Sequence, residues 1–278
     1  KFISEELDAG DTFSSELELK KWLETHECVI CGSDQIWNNN ITENGGAYFA
    51  VDCNVKKISY AASLGTTQLN ETQKSNIINY LPSFSSISVR EPGSAEQLTK
   101  ILHREIQVVL DPVFLLDRDE WRKLSRPVSV DSNYLFLYFL QENEKLLECA
   151  KKYAEENGLK IYEVHPTLAT RHNGCKRLEN VGPKEFIWLI ENASCVCTNS
   201  FHATAFSTIF RKKLIHIPNS KSPERTTSLL ERVGIELKTA KEFPFYDISL
   251  CDDTNLNFEI EKSKKFLDAV MESEQYGN

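Results

Sequence analysis

The run Cys195-Val196-Cys197-Thr198-Asn199-Ser200-Phe201-His202-Ala203-Thr204-Ala205-Phe206 joins a short apolar segment to Thr-Asn-Ser and then to an apolar helical pattern. That order predicts a buried strand, a tight turn and a helix start. Ser200 stands at the N-cap position, where its hydroxyl can accept a hydrogen bond from a first-turn backbone N–H. His202 follows in the first turn, at the positive end of the helix dipole. The dipole disfavours imidazolium there, and an arriving anion reverses the bias. A histidine so placed suits proton transfer beside an anionic substrate. Taken alone, a histidine at a helix start is more often an accident of placement, so the other strand ends decide.

Those ends carry a consistent set. Asp34, Ser63, Arg90, Asp111, Asn199 and Ser200 follow short apolar runs, Lys221 follows a later one, and Arg225 stands one turn beyond it. Together they could hold a small, doubly anionic molecule. Arg90 can clamp a carboxylate or phosphate through two parallel hydrogen bonds. Lys221 and Arg225 add positive charge, while Ser33, Gln35, Ser63, Asn199 and Ser200 offer hydroxyls and amides for substrate binding. His202 and Asp34 then serve as acid and base, in either order. Each residue also has a plainer role. Asp34 can close a turn, Arg90 can pair with Glu91 at the surface, and Asp111 before Pro112 can bond loop N–H groups. Trp37 and Tyr60 read as core aromatics rather than platforms for a sugar.

The elements that must position these residues form two series. Strands at 27–32, 57–61, 86–89 and 107–110 alternate with helices at 14–24, 71–81 and 92–103, and each strand empties into small or polar residues. That pattern predicts a parallel sheet with a working edge. The polar stretch 118–131, with Pro127, is the linker expected between domains. Strands at 134–140, 159–164, 195–198 and 213–217 then alternate with helices at 142–157, from Pro183, from Phe201 and at 224–233. Residues 165–180 and 236–256 show no clear element, and 258–271 is a final amphipathic helix. The division expected is 1–125, 126–256 and a helix in 257–278 that closes back on the first domain, with the strand ends of both domains facing one cleft.

Composition narrows the classes. With 278 residues and 41% hydrophobic content, the chain can build two compact α/β domains. No run approaches the length needed to cross a bilayer. The net charge of −9 and the lack of a basic stripe argue against a nucleic-acid partner. Eight cysteines are scattered; Cys28-x-x-Cys31 lacks the second pair that zinc would need, and Cys195 and Cys197 fall on one face of a strand. Buried thiols in a reducing cytoplasm, and no metal, are the expectation.

Five stretches in order, Gly32–Asn38 (GSDQIWN), Ser59–Gly65 (SYAASLG), Ser88–Glu91 (SVRE), Asp111–Leu116 (DPVFLL) and Thr198–Phe206 (TNSFHATAF), resemble the polysaccharide pyruvyl transferase family. Gly182–Phe186 fits as a helix opening. The resemblance implies two Rossmann-like domains in a GT-B-like arrangement, with the acceptor on the N-terminal side and phosphoenolpyruvate on the C-terminal side. It implies transfer of a pyruvyl group from phosphoenolpyruvate to two hydroxyls of a sugar, forming a ketal on a cell-surface polysaccharide precursor, with no cofactor. The family's Asp, Arg and His carry over to Asp34, Arg90 and His202, and its later basic residue to Lys221 or Arg225. A sugar or lipid-linked oligosaccharide acceptor, with assembly at the inner face of a bacterial cytoplasmic membrane, follows from the same resemblance. Members begin with a Gly-Asn-rich strand-to-helix turn that this sequence does not show, so a truncated N-terminal domain is expected.

Two other readings compete. A nucleotide-sugar glycosyltransferase would need an acidic ribose clamp, for which Glu179 and Glu224 are the candidates. A non-catalytic binder of an acidic saccharide would not require Asp34, Arg90 and His202 together.

Overall fold

In the computed structural model, residues 12–42, 46–51, 53–165, 170–219, 223–237 and 243–272 are described. They fall into two compact units, one built from 12–115 and 257–272, the other from 116–256.

The first unit is a four-stranded parallel sheet of β1 (Cys28–Cys31), β2 (Lys56–Ala62), β3 (Ser86–Val89) and β4 (Gln107–Val108), in that spatial order. Helices α1 (Glu16–Leu23), α2 (Glu71–Tyr80) and α3 (Pro92–Leu102) are interleaved with the strands. Local chemistry sets their starts. Ser15 caps α1, Asn70 and Gln73 form a reciprocal capping box on α2, and Pro92 opens α3 with its ring-fixed φ. Trp37 stacks on Phe49 at 5.4 Å and meets the edge of Phe84 at 6.3 Å, within a core that includes Leu64, Ile77, Leu81 and Leu98. Trp37 and Tyr60 are 1% and 4% exposed, so both are core aromatics. β4 is shorter than the sequence pattern suggests. Val109 still donates to Val89 O, but the Leu110 N–H turns away to Ser263 Oγ at 2.8 Å. Ser263 belongs to α9 (Thr254–Glu272), which also sets Phe266 against Tyr60.

The second unit is a six-stranded sheet. β5 (Tyr134–Tyr138), β6 (Lys160–Val164), β7 (Cys175–Arg177), β8 (Cys195–Thr198), β9 (Lys213–His216) and β10 (Phe245–Asp247) lie in the order β10-β9-β8-β5-β6-β7. All neighbours are parallel except β10 and β9. Helices α5 (Glu144–Asn157), α6 (Pro183–Asn192), α7 (Phe201–Ile209) and α8 (Glu224–Arg232) connect them. Gly158 ends α5 in the left-handed conformation, φ +64°. The chain runs β5, β6, β7 in one direction and then restarts on the other side of β5 with β8 and β9. The carboxyl ends of β5 and β8 therefore flank a topological switch point, where ligands of such sheets bind.

A short helix and two short strands are among the elements that lie where the sequence showed none. The stretch expected as linker carries α4 (Arg118–Leu124), started by an Asp117–Glu120 capping box. Trp121 sets its ring edge against Phe206 at 4.9 Å, and Arg118 Nε donates to Ile209 O, so α4 packs on α7. β7 and β10 are three-residue edge strands. Their register comes from a neighbouring strand, so neither has a period of its own to read. No helix among the described residues is long and apolar enough to cross a membrane.

Candidate functional site

In the first unit, the β1 exit runs from Gly32 through a cis peptide to Ser33 and then Asp34. Gly32 has φ +130°, and a Cβ there would fall 2.2 Å from Tyr60 O, so two backbones approach as only glycine permits. Asp34 is held at φ +57°, bridged to β2 by the Ser63 N–H on its carbonyl at 2.9 Å. A left-handed aspartate is uncommon, and such positions cluster at working sites.

Arg90, at the end of β3, draws three carboxylates together. Its Nη1 donates to Asp111 Oδ2 at 2.6 Å, its Nε to Glu91 Oε1 at 3.0 Å and its Nη2 to Asp34 Oδ1 at 3.2 Å. Burial alone would push the guanidinium pKa down, but Glu91, Asp111 and Asp34 more than reverse this and hold it above its usual value. Side-chain exposure separates the three acids: 56% for Asp34, 4% for Glu91 and 1% for Asp111. Arg90, expected as an open clamp for a substrate anion, is itself 3% exposed with all three nitrogens facing carboxylates. It orients acids, and Asp34 is the one they present to solvent. The Arg90–Glu91 pair is present as expected but buried rather than on the surface.

Ser33 Oγ donates to Asp111 Oδ2 at 3.1 Å, so Asp111 ties the β1 exit to the β3 end as well as accepting the Val113 N–H. Gln35 Oε1 accepts from Asn38 Nδ2, and Ser63, wholly buried, accepts the Gly65 N–H. These two residues, expected to bind substrate, brace the loops around Asp34. From sequence, Asp111 had a plainer role in bonding loop N–H groups and Glu91 one as a surface partner of Arg90; a charged residue closing a buried strand was the signal that both belong to the cluster.

In the second unit, Thr198, Asn199 and Ser200 shape the switch point. Thr198 Oγ1 donates to Tyr138 O at 2.8 Å and accepts the Ser200 N–H at 3.0 Å. Asn199 Oδ1 accepts from Leu140 N at 2.8 Å, and its Nδ2 donates to Gln141 O at 2.6 Å. Ser200 Oγ accepts the Ala203 N–H, the N-cap bond expected of it. Asn199 and Ser200 are 3% and 2% exposed. They build the crevice wall, and His202 stands half-buried in the first turn of α7 beside the ring of Phe201. On α8, the Arg225 guanidinium lies over the same Phe201 ring, at 5.5 Å. That contact brings a cation to the N-terminal end of α7. Lys221 lies outside the described residues.

His216, at the end of β9, was absent from the sequence candidates. It is fully buried, with Nδ1 donating to Thr198 O at 2.9 Å and Nε2 2.7 Å from Thr226 Oγ1. Burial lowers its pKa to about 4, against the smaller opposing effect of the Thr198 bond, so the ring is neutral and Nε2 accepts. It bolts α8 to the strand beneath the crevice. A lone histidine within the apolar stretch Leu214–Ile217 was the available signal.

Among the described residues, no cysteine is in a disulfide. Burial pushes the Cys31 thiol up to about 12 and Cys197 well above its usual value, which suits apolar packing rather than reactivity. Among the described residues, no group of three or more His, Cys, Asp and Glu side chains is placed to hold a metal ion.

The family model for polysaccharide pyruvyl transferase matches residues 8–221, well over half of the chain. The chain belongs to the polysaccharide pyruvyl transferase family. The matched span includes Asp34, Arg90, Asp111, Ser200 and His202. Membership implies a transferase of polysaccharide biosynthesis acting on a sugar or polysaccharide acceptor. A search of curated proteins returns no match. Among solved structures, the UDP-GlcNAc 2-epimerase of Methanocaldococcus jannaschii in complex with UDP-GlcNAc and UDP is similar at TM-score 0.55 and 15% identity, covering 95% of this chain and 83% of that one. A second structure of the epimerase from that organism gives TM-score 0.52 and 16% identity, covering 87% and 79%. At such identities the likeness shows the fold, an α/β chain of Rossmann-like units of the GT-B class.

Proposed function

We propose that this family member transfers a pyruvyl group from phosphoenolpyruvate to a pair of sugar hydroxyls, forming a pyruvate ketal and releasing inorganic phosphate. The observation that carries the reading is the half-buried His202 in the first turn of α7, at the switch point of the second sheet, inside the span matched by the family model. A helix N-terminus favours an anion, and Arg225 adds a cation beside it.

The steps use the chain's own acids and bases. A proton goes to the methylene carbon of phosphoenolpyruvate, which becomes the ketal methyl group, and positive charge develops at C2. One sugar hydroxyl attacks C2 and loses its proton. The C2–O bond to phosphate breaks with its electron pair leaving on phosphate, and the second hydroxyl closes the ring at C2. Of the two hydroxyl protons, one replaces that spent on the methyl group and the other leaves with phosphate. His202 is assigned proton delivery and phosphate contact, and Asp34 hydroxyl activation, the two roles being interchangeable. Arg90, Glu91 and Asp111 fix Asp34 in place. The reaction requires no metal or cofactor.

Phosphate release from phosphoenolpyruvate, assayed with a panel of galactosides and N-acetylmannosaminides, tests the reading. Acceptor-dependent release is the expected result. A thermal shift with a nucleotide, and neither shift nor release with phosphoenolpyruvate, would favour nucleotide-sugar chemistry instead.

A further inference from the structure

On the β6 side of the β5 end, opposite Asn199, a second set of titratable side chains forms an unbroken chain. Glu163 Oε2 lies 2.7 Å from Nδ1 of His172. The other ring nitrogen of His172 lies 3.2 Å from Glu142 Oε1, and Glu142 Oε2 lies 2.9 Å from Nε2 of His165. Phe139 packs against both imidazoles, with centroids 5.5 Å and 5.3 Å from its own. Glu163 is fully buried and Glu142 is 47% exposed, so the chain runs from the interior to solvent.

Proton counting makes this arrangement conditional. An ionised carboxylate only accepts hydrogen bonds, and a neutral imidazole has one N–H. His172 faces a carboxylate oxygen at each nitrogen. Both bonds form together only if the set holds one proton beyond a neutral ring and two ionised carboxylates, on the ring or on a carboxyl. Such a proton belongs to the set as a whole.

The set has a mechanical connection to the crevice. Glu142 directly follows Leu140 and Gln141, the two residues whose backbone Asn199 grips. The loop between β5 and α5 is therefore held from one side by Asn199, next to the start of α7, and from the other by the two histidines. Asn143 then caps α5.

We propose that Glu142 is a positioning residue in a proton-linked brace: with the extra proton bound, Glu163, His172, Glu142 and His165 hold Leu140 and Gln141 in place against Asn199, and loss of that proton lets this wall of the crevice shift. The predicted effect on donor affinity rests on the phosphoenolpyruvate reading; the coupling itself does not. Other groups face the set. Arg177 on β7 donates from Nη2 to His165 O, and Cys175 on the same strand has a thiol raised to about 11 by burial and by the charge of Glu163. Lys151 on α5 acts on Cys175 with the opposite sign. As pH rises and the proton leaves, affinity for an anion in the crevice should fall.

The test is a pH titration of the whole protein by nuclear magnetic resonance, following the ring signals of His165 and His172, the Leu140 amide and the Asn199 side-chain amide. In the wild type, the Leu140 and Asn199 signals should move with the midpoint of the His172 ring. Glu142→Gln should abolish that shared movement; if it folds poorly, His172→Gln serves the same purpose, with no movement of the Leu140 and Asn199 signals expected at the wild-type midpoint. Ring titration with no response at Leu140 and Asn199 in the wild type would overturn the proposal, as would an unchanged shared titration in a folded variant. In parallel, Glu142→Gln should weaken phosphoenolpyruvate binding about fivefold or more with kcat within about twofold. Wild type that binds no phosphoenolpyruvate would remove the donor reading, while the resonance comparison still decides the brace.

Discussion

Arg90 Nη1 lies 2.6 Å from Asp111 Oδ2, and both side chains are sealed from solvent while Asp34, on the same guanidinium, is not. One cation thus serves two buried acids and one exposed acid, and stability and chemistry should separate along that division.

Replacing Arg90 by methionine would leave Asp111 and Glu91 buried without their cation. The cost should be about 3–5 kcal/mol, as for a broken buried pair. Asp34→Asn should cost less than about 1 kcal/mol, since its carboxylate is more than half exposed. Activity should nonetheless vanish in both. Urea denaturation beside the phosphate-release assay measures the two effects; an Asp34→Asn protein with wild-type turnover would remove Asp34 from the reaction.

His202→Ala should abolish acceptor-dependent phosphate release and leave the melting temperature nearly unchanged, because the ring is only half-buried. Asn199→Ala should instead act first on stability. It strips partners from Leu140 N and Gln141 O, which should cost about 1–3 kcal/mol. Full activity in His202→Ala, measured at saturating phosphoenolpyruvate, contradicts the assigned role.

His216 makes stability depend on pH. Its folded pKa is about 4, whereas an unfolded histidine titrates near about 6.5. Above the unfolded value both states are neutral and nothing is lost. As pH falls towards 4, the unfolded chain takes up a proton that the folded chain refuses, and stability drops by about 3 kcal/mol. Denaturation midpoints of wild type and His216→Asn at several pH values give the difference. Parallel curves across the window would show that this ring is not responsible.

Addition of EDTA should leave the rate of pyruvyl transfer unchanged, because the proposed steps use only side-chain acids and bases. A loss restored by one added divalent cation would show that a metal ion takes part.

Much of the architecture was legible because it rests on period and punctuation. Ser86–Val89, the Pro92 helix start, the Gly158 stop and the Ser200 cap are local statements, and each appears where the residues alone put it. α4 was obscured by a polar composition: its helix is started by a capping box and held by one aromatic, Trp121, whose partner Phe206 is distant in sequence. The site was legible as a set of strand ends but not as a network. Residue type shows that Arg90 can hold a carboxylate; only the packed sheet shows that it already holds three. The roles of Ser63 and Gln35 as loop braces, and of His216 as a buried bolt, likewise depend on partners that no local spacing reveals.

The close approach at Gly32 bears on how this enzyme can change over evolutionary time. The nearest obstacle to a side chain there is a backbone oxygen, that of Tyr60, and no second substitution can trim it away. A lineage seeking a new acceptor can redraw the exposed loops freely, but the bend that aims Asp34 admits no single-step alternative. Diversification of specificity should therefore run around this point and leave it fixed, as a road network grows around a bridge.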